Sequence, residues 1–203
     1  MKTTRVLLAS VLVAAAGAAA LLAASATTTA APAPAAPANA AAFTVDGVHS
    51  SVVFHVRHNN VANFWGAFRD VSGTFDLTDG GSVEVNIKPE SIDTRNERRD
   101  GHLRNPDFFS AKEFPELSFK STSVKKVSEN TYEATGDLTL RGVTKPLTVT
   151  IEQTGTGESR GTTVAGIETT FIIKRSDFGM TYGLGSALGD EVTVIAALEG
   201  QRK

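Results

Sequence analysis

The side chains best able to move protons or grip charge gather between Arg95 and Arg104. Arg95, Glu97, Arg98, Arg99, Asp100, His102 and Arg104 crowd into that stretch. An acid and a histidine beside arginines have the composition for general acid–base work. Yet no serine or cysteine stands in a recognisable nucleophile setting, Gly-x-Ser-x-Gly is absent, and no second catalytic pair accompanies the cluster. The favoured reading is a salt-bridged clamp that fastens a crossing segment to the rim of a larger structure. An enzyme using Arg99, Asp100 and His102 is the weaker alternative.

The histidines are four: His49, His55, His58 and His102. His55 and His58 have the spacing that on a helix would share a metal. Their segment, Val52 to Arg57, alternates apolar and polar residues like a strand. Successive strand side chains point to opposite faces, so an offset of three separates the two imidazoles. A metal shared by this pair is therefore not expected. His58 continues the face of Val52, Phe54 and Val56 and is a candidate contact for a polar head group. The runs Gly155-x-Gly157-x-x-x-Gly161 and Gly183-x-Gly185-x-x-x-Gly189 do not fit a dinucleotide fingerprint and read as loops.

Eleven phenylalanines dominate the aromatic content. Phe64, Trp65, Phe68, Phe108, Phe109, Phe114 and Phe178 fall in or beside loops and strand ends. Core packing accounts for most of them; the functional reading is a cavity wall, the usual lining of small-molecule sites.

Strands must position these residues. Alternation recurs through Val83, Val85 and Ile87; Tyr132, Ala134, Leu138 and Leu140; Leu147, Val149 and Ile151; Ile167, Thr169, Phe171 and Ile173; and Val192, Val194, Ala196 and Leu198. Weaker strands are expected at Phe43–Asp46, Ala67–Leu77, Leu117–Ser121 and Val124–Val127. Turn residues separate them at Asp79-Gly80-Gly81, Glu129-Asn130 and Arg141-Gly142, with a longer loop at Thr154 to Gly161. Short strands with close turns and one polar face imply an all-β, antiparallel sandwich or barrel. The exception is Arg95 to Arg104, a short helical lid across an open end, with Thr94 as the expected cap in a capping box with Glu97.

Residues 1–26 read as a signal peptide: Lys2 and Arg5, then an uncharged apolar run, then small residues at Ala24-Ser25-Ala26. The run is rich in weakly apolar Ala and Gly, which disfavours an uncleaved anchor. Residues 27–42 are an Ala/Pro/Thr-rich linker, and 43–203 form one domain. The protein is expected to be periplasmic or secreted. The whole chain carries a formal charge of −2; the folded part keeps all 22 acids and lacks Lys2 and Arg5, so it is more negative still. That argues against nucleic acid as a partner, which requires a basic stripe. With no cysteine, stability must come from the core or a closed sheet.

The segments FTVDGVHSSVVFHVRH, GAFRDVSGTFDL, SIDTRNERRDGHLRNPDFF, FPELSFKSTSV, TGDLTLRGVTKPLTV, KRSDFGM and GDEVTVIAALE, in that order, closely resemble the YceI-like family. The resemblance implies an extended, lipocalin-like antiparallel barrel of about eight strands. It also implies an interior tunnel for a polyisoprenoid, a quinone-type lipid or a fatty amide, no metal or covalent cofactor, and, by analogy, a membrane redox partner. The wall residues expected to meet such a ligand are Val52, Phe54, Val56, Phe68, Phe108, Phe109 and Phe171, with His58 and Arg98 near the head group. A side-chain-filled barrel acting as a stress-response or interaction module is the alternative reading. The chain departs from the family pattern at Phe64-Trp65-Gly66, where a basic residue commonly precedes the glycine, a change expected to affect the tunnel entrance. Edge strands in a partly open barrel make a homodimer a further expectation.

Overall fold

The computed structural model describes residues 41–202; the expected signal peptide and the linker up to residue 40 lie outside them. The strands are β1 (Phe43–Val45), β2 (Ser51–His58), β3 (Ala62–Phe68), β4 (Val71–Phe75), β5 (Val83–Ile87), β6 (Ile92–Asp93), β7 (Leu117–Lys126), β8 (Thr131–Leu140), β9 (Val143–Ser159), β10 (Thr162–Lys174) and β11 (Leu188–Arg202). The helix α1 (Glu97–Leu103) lies between β6 and β7.

Every pairing between these strands is antiparallel, and the sheet closes on itself. The ring runs β1, β4, β5, β7, β8, β9, β10, β11 and back to β1, a barrel of eight strands. β11 is long enough to take two partners: β1 at Gly200 and Gln201, and β2 from Leu188 to Ala197. The turn between β1 and β2 thus interrupts a single wall position. The same interruption follows next door, where β4 pairs with β1 and β3 with β2.

Alternation decides which side chains face inward. In β8, Tyr132, Ala134, Leu138 and Leu140 are buried while Glu133 and Asp137 are exposed. In β2 the buried set is Val52, Phe54 and Val56. One end of the barrel is plugged. Phe43 stacks on Phe75 with ring centroids 5.2 Å apart, and the Arg202 guanidinium lies 4.5 Å from the Phe43 ring centre. Gly200 lets the rings approach: a Cβ there would sit 2.6 Å from the Phe75 ring.

Four local expectations need correction. Thr154 to Gly161 is not a long loop. Its residues through Ser159 extend β9, paired to β10 around a two-residue turn at Arg160 and Gly161, both with positive φ. Gly155 and Gly157 are accordingly strand residues, and Gly189 opens β11. Ala67–Leu77 is broken at Arg69 and Asp70, whose backbone N–H groups donate to the Ser91 hydroxyl rather than continuing a ladder. Leu117–Ser121 and Val124–Val127 are one strand, β7, with a register shift between Ser121 and Ser123. The cap of α1 is Asn96, whose side chain accepts from the Arg99 N–H; Thr94 does other work.

Candidate functional site

The interior is hollow. A cavity of about 460 Å³ runs down the barrel from the end crossed by α1. Its wall includes Val85, Ile87, Phe119, Leu147, Phe171, Ile173, Val192 and Val194, all partly buried although they face inward from strands. Inward side chains in a filled barrel are covered by one another. These keep accessible surface because no side chain occupies the space between them, which weighs against the side-chain-filled alternative.

Val52, Phe54, Val56, His58, Phe68, Phe108, Phe109 and Phe171 all line this cavity, the strand residues from the inward face that alternation marks and Phe108 and Phe109 from the segment after α1. Arg98 does not. It is exposed on the outer side of α1, and its neighbour Arg99 takes the place on the wall.

The open end is built from α1, the segment after it, and the loop before β11. Arg99 is fixed there by three contacts. Its Nε donates to the Thr94 hydroxyl and its Nη2 to the Thr94 carbonyl, each at 2.8 Å. Its guanidinium lies 4.4 Å from the centre of the Phe64 ring. Thr94 in turn donates its N–H (2.9 Å) and its hydroxyl to the buried Asp100 carboxylate. Asp100 therefore anchors the residue that anchors Arg99. Two of the five guanidinium donors are engaged in this way, and the rest are free to meet a ligand.

His102 stands nearby in an aromatic trio. Its ring meets Phe108 edge-on at 5.1 Å and Tyr182 at 5.0 Å, and Nε2 pairs with Asp107 at 2.9 Å. Phe109 meets Phe68 edge-on at 5.4 Å, and Phe68 packs on Phe54 at 5.5 Å. The aromatic contacts thus pass from the lid segment into the barrel wall. The clamp expected of the charged stretch is present, but it grips mainly backbone. Arg104 donates to the carbonyls of Glu90 and Ile92, and Arg69 pairs with Asp93 at 2.7 Å.

Arg175 braces the opposite side of the opening. It is buried, and its guanidinium donates to the carbonyls of Met180, Tyr182, Leu188 and Gly189. Burial pushes its pKa down from the ordinary arginine value, with the Asp190 charge opposing. Burial raises the pKa of Asp190, but two hydrogen bonds from Ser176 and the Arg175 charge outweigh it, leaving the carboxyl below its ordinary range.

Arg99, Asp100 and His102 bond to different partners and not to one another. Asp100 turns toward Thr94, and His102 pairs with the exposed Asp107. His55 and His58 are separated as the strand period requires: His58 lines the cavity, while His55 packs on Trp65 outside it at 4.6 Å. Trp65 is also on the outer wall, so the departure at Phe64-Trp65-Gly66 splits: Phe64 alters the cavity and Trp65 the exterior. Asp46, His49 and Glu199 are the one group among the described residues whose ligand atoms lie close enough to share a cation. They sit where β1 gives way to β2, outside the cavity lining.

The match to a family model for the YceI-like domain covers residues 43–200, the whole barrel. The chain belongs to the YceI-like family. Among its relatives, Protein YceI of Salmonella newport is 39% identical over 170 residues, covering 80% of this chain and 88% of the relative. Burkholderia cenocepacia BcnA superposes with a TM-score of 0.70 at 25% identity, covering 76% of this chain and 98% of BcnA. A polyisoprenoid binding domain from Saccharophagus degradans, implicated in plant cell wall breakdown, superposes with a TM-score of 0.65. At 16% identity, and covering 80% of this chain and 99% of the other, it attests the shared fold. Against this YceI-like framework, sequence reasoning missed Leu147, Val194 and Arg175. The first two carry the alternation signal, but alternation marks an inward face without saying whether the inside is full. Arg175 lies in a loop motif with no periodicity to assign it.

Proposed function

We propose that this YceI-like protein is an exported carrier or sequestering protein for a long apolar lipid, held with its chain inside the barrel. The observation that carries the reading is the apolar hollow, open at one end and bordered there by few polar groups. An unfilled apolar space forfeits the dispersion contacts its lining would make with an occupant. Each Å² of apolar ligand surface removed from water contributes ~25 cal/mol, so a long chain binds well even after its ordering cost. The tail lies along Val52, Phe54, Val56, Phe68 and Phe171 beneath the Phe108–Phe109 lid, and the head group meets His58 and Arg99. A polyisoprenoid, a quinone-type lipid or a fatty amide has this form. The Saccharophagus degradans polyisoprenoid binding domain, which shares this fold, favours the first of these, and a quinone head would suit a membrane redox partner. The basic, then apolar, then small-residue pattern of the first 26 residues supports export to the periplasm or beyond.

The test is native mass spectrometry of the exported protein, purified from its own envelope without detergent, followed by solvent extraction. A stoichiometric adduct released as a prenyl or acyl lipid is expected and identifies the cargo. A bare protein that also takes up no added quinone or fatty amide would overturn the carrier reading.

A further inference from the structure

We propose that the open end of the barrel is a docking surface for the anionic face of a lipid bilayer, through which cargo passes between membrane and cavity. The inference rests on the reading that the cavity holds a lipid, and it adds the surface from which that lipid comes.

Two strongly exposed large hydrophobic side chains sit at the rim, Val61 at 77% exposure and Tyr182 at 51%, and a third, Trp65 at 47%, lies further down β3 on the outer wall. Val61 closes the turn between β2 and β3, where Asn59 and Asn60 both have positive φ and the Val61 N–H donates back to His58 at 3.0 Å. His58 pairs with Ala62, so this is a tight three-residue hairpin loop with Val61 as its last residue. The Asn59 N–H donates to the Ala187 carbonyl at 2.7 Å, tying that tip to the loop that carries Tyr182. An apolar side chain held this firmly in water is shaped for a contact. Tyrosine and tryptophan are the side chains favoured at a membrane–water interface, and Tyr182 and Trp65 are both half-exposed on this side of the barrel.

Charge orients the contact. Arg98 on α1 has no ion pair or hydrogen bond through its side chain among the described residues, and Arg57, next to last in β2, donates to the Asn63 side chain and the Asn60 carbonyl and has no ion pair. The acids nearest on α1 and its loop are Glu97 and Asp107, the latter paired with His102. The folded sequence as a whole is net negative. An anionic bilayer therefore repels most of this molecule and tolerates it where unpaired arginine meets lipid phosphate.

Trp65 is the chain's single tryptophan, so its emission reports on this end of the barrel alone. The experiment adds vesicles of phosphatidylglycerol and phosphatidylethanolamine, or of phosphatidylcholine alone, to the full folded domain. It follows co-sedimentation and Trp65 emission. Association with the anionic vesicles and a blue shift are expected, weakening in about 0.5 M salt. Arg98→Gln should weaken association about fivefold, and Val61→Asp about tenfold. Neither residue lines the cavity. Both variants should therefore take up cis-parinaric acid added from ethanol as the parent does, yet extract it more slowly from preloaded vesicles. Failure of the parent protein to associate with anionic vesicles overturns the proposal and assigns the rim to a protein partner. Unchanged association of both variants overturns it as well. Vesicle association without any cis-parinaric acid uptake leaves the docking surface standing and removes the cargo reading instead.

Discussion

Arg98 and Arg99 differ by one position and face different worlds, Arg98 outside on α1 and Arg99 in the cavity wall. Adjacent helical residues are about 100° apart around the axis. A charge-dense stretch with no apolar stripe gives no phase to choose between them. On β2 the phase is plain, which is why Val52, Phe54, Val56 and His58 were readable as cavity-facing and the cavity-lining arginine was not. A second residue-scale feature is titratable. His49 Nδ1 pairs with Asp46 at 2.9 Å, and that hydrogen bond, then the Asp46 and Glu199 charges, raises the histidine above its ordinary 6.5. The same bond, then the Val48 N–H, lowers Asp46 below its ordinary 3.8. The histidine's contribution is complete below its ordinary value and is lost as pH rises through the raised one. The aspartate's is complete above its ordinary value and is lost as pH falls through the lowered one. His49→Gln should therefore lower Tm relative to the parent at about pH 5.5 and leave it unchanged at about pH 9. An equal loss at both pH values would show that the imidazole acts by packing instead.

At the scale of elements, the least legible piece was the outer half of the β9–β10 hairpin. Thr154 to Ser159 are all exposed, so neither face carries an apolar set. Alternation is the signature of a strand with one buried face, and a strand wetted on both sides does not write it. Pairing with β10 makes this segment a strand. The loop between β10 and β11 poses the opposite problem: it has no ladder of its own, and its shape comes from Arg175. One guanidinium satisfies four carbonyls of Met180 to Gly189. Removing it leaves several buried acceptors without donors at once. Arg175→Met should cost about 3 kcal/mol, seen as a lower Tm. It should also speed amide exchange at residues 180–189 ahead of the barrel strands. Arg175→Lys should not restore the protection, because an ammonium cannot reproduce the planar fork. Uniform acceleration across the whole domain would contradict the assignment of Arg175 to this loop.

At the scale of the whole molecule, the closed antiparallel barrel followed from the alternating strands, the close turns and the family pattern. The hollow did not, because phenylalanines that fill a core and those that line a cavity look the same in one dimension. Filling the space by mutation separates binding from folding. Leu147 faces the cavity from β9 and is only half-buried, so the larger ring of Leu147→Trp has room to enter. This variant should keep or raise Tm while losing lipid uptake at least tenfold, measured by cis-parinaric acid titration. Undiminished uptake by a folded Leu147→Trp protein would place the ligand elsewhere.

The plug of Phe43, Phe75 and Gly200 gives the barrel a floor. The 460 Å³ above it is therefore a space of limited depth. A vessel with a fixed floor and one doorway is a gauge. Short chains vanish into it, while longer ones run out of depth and leave a remainder at the threshold beside Arg99 and Tyr182. What stays outside would then be set by the length of the occupant, so one unchanging barrel would present a different handle with each.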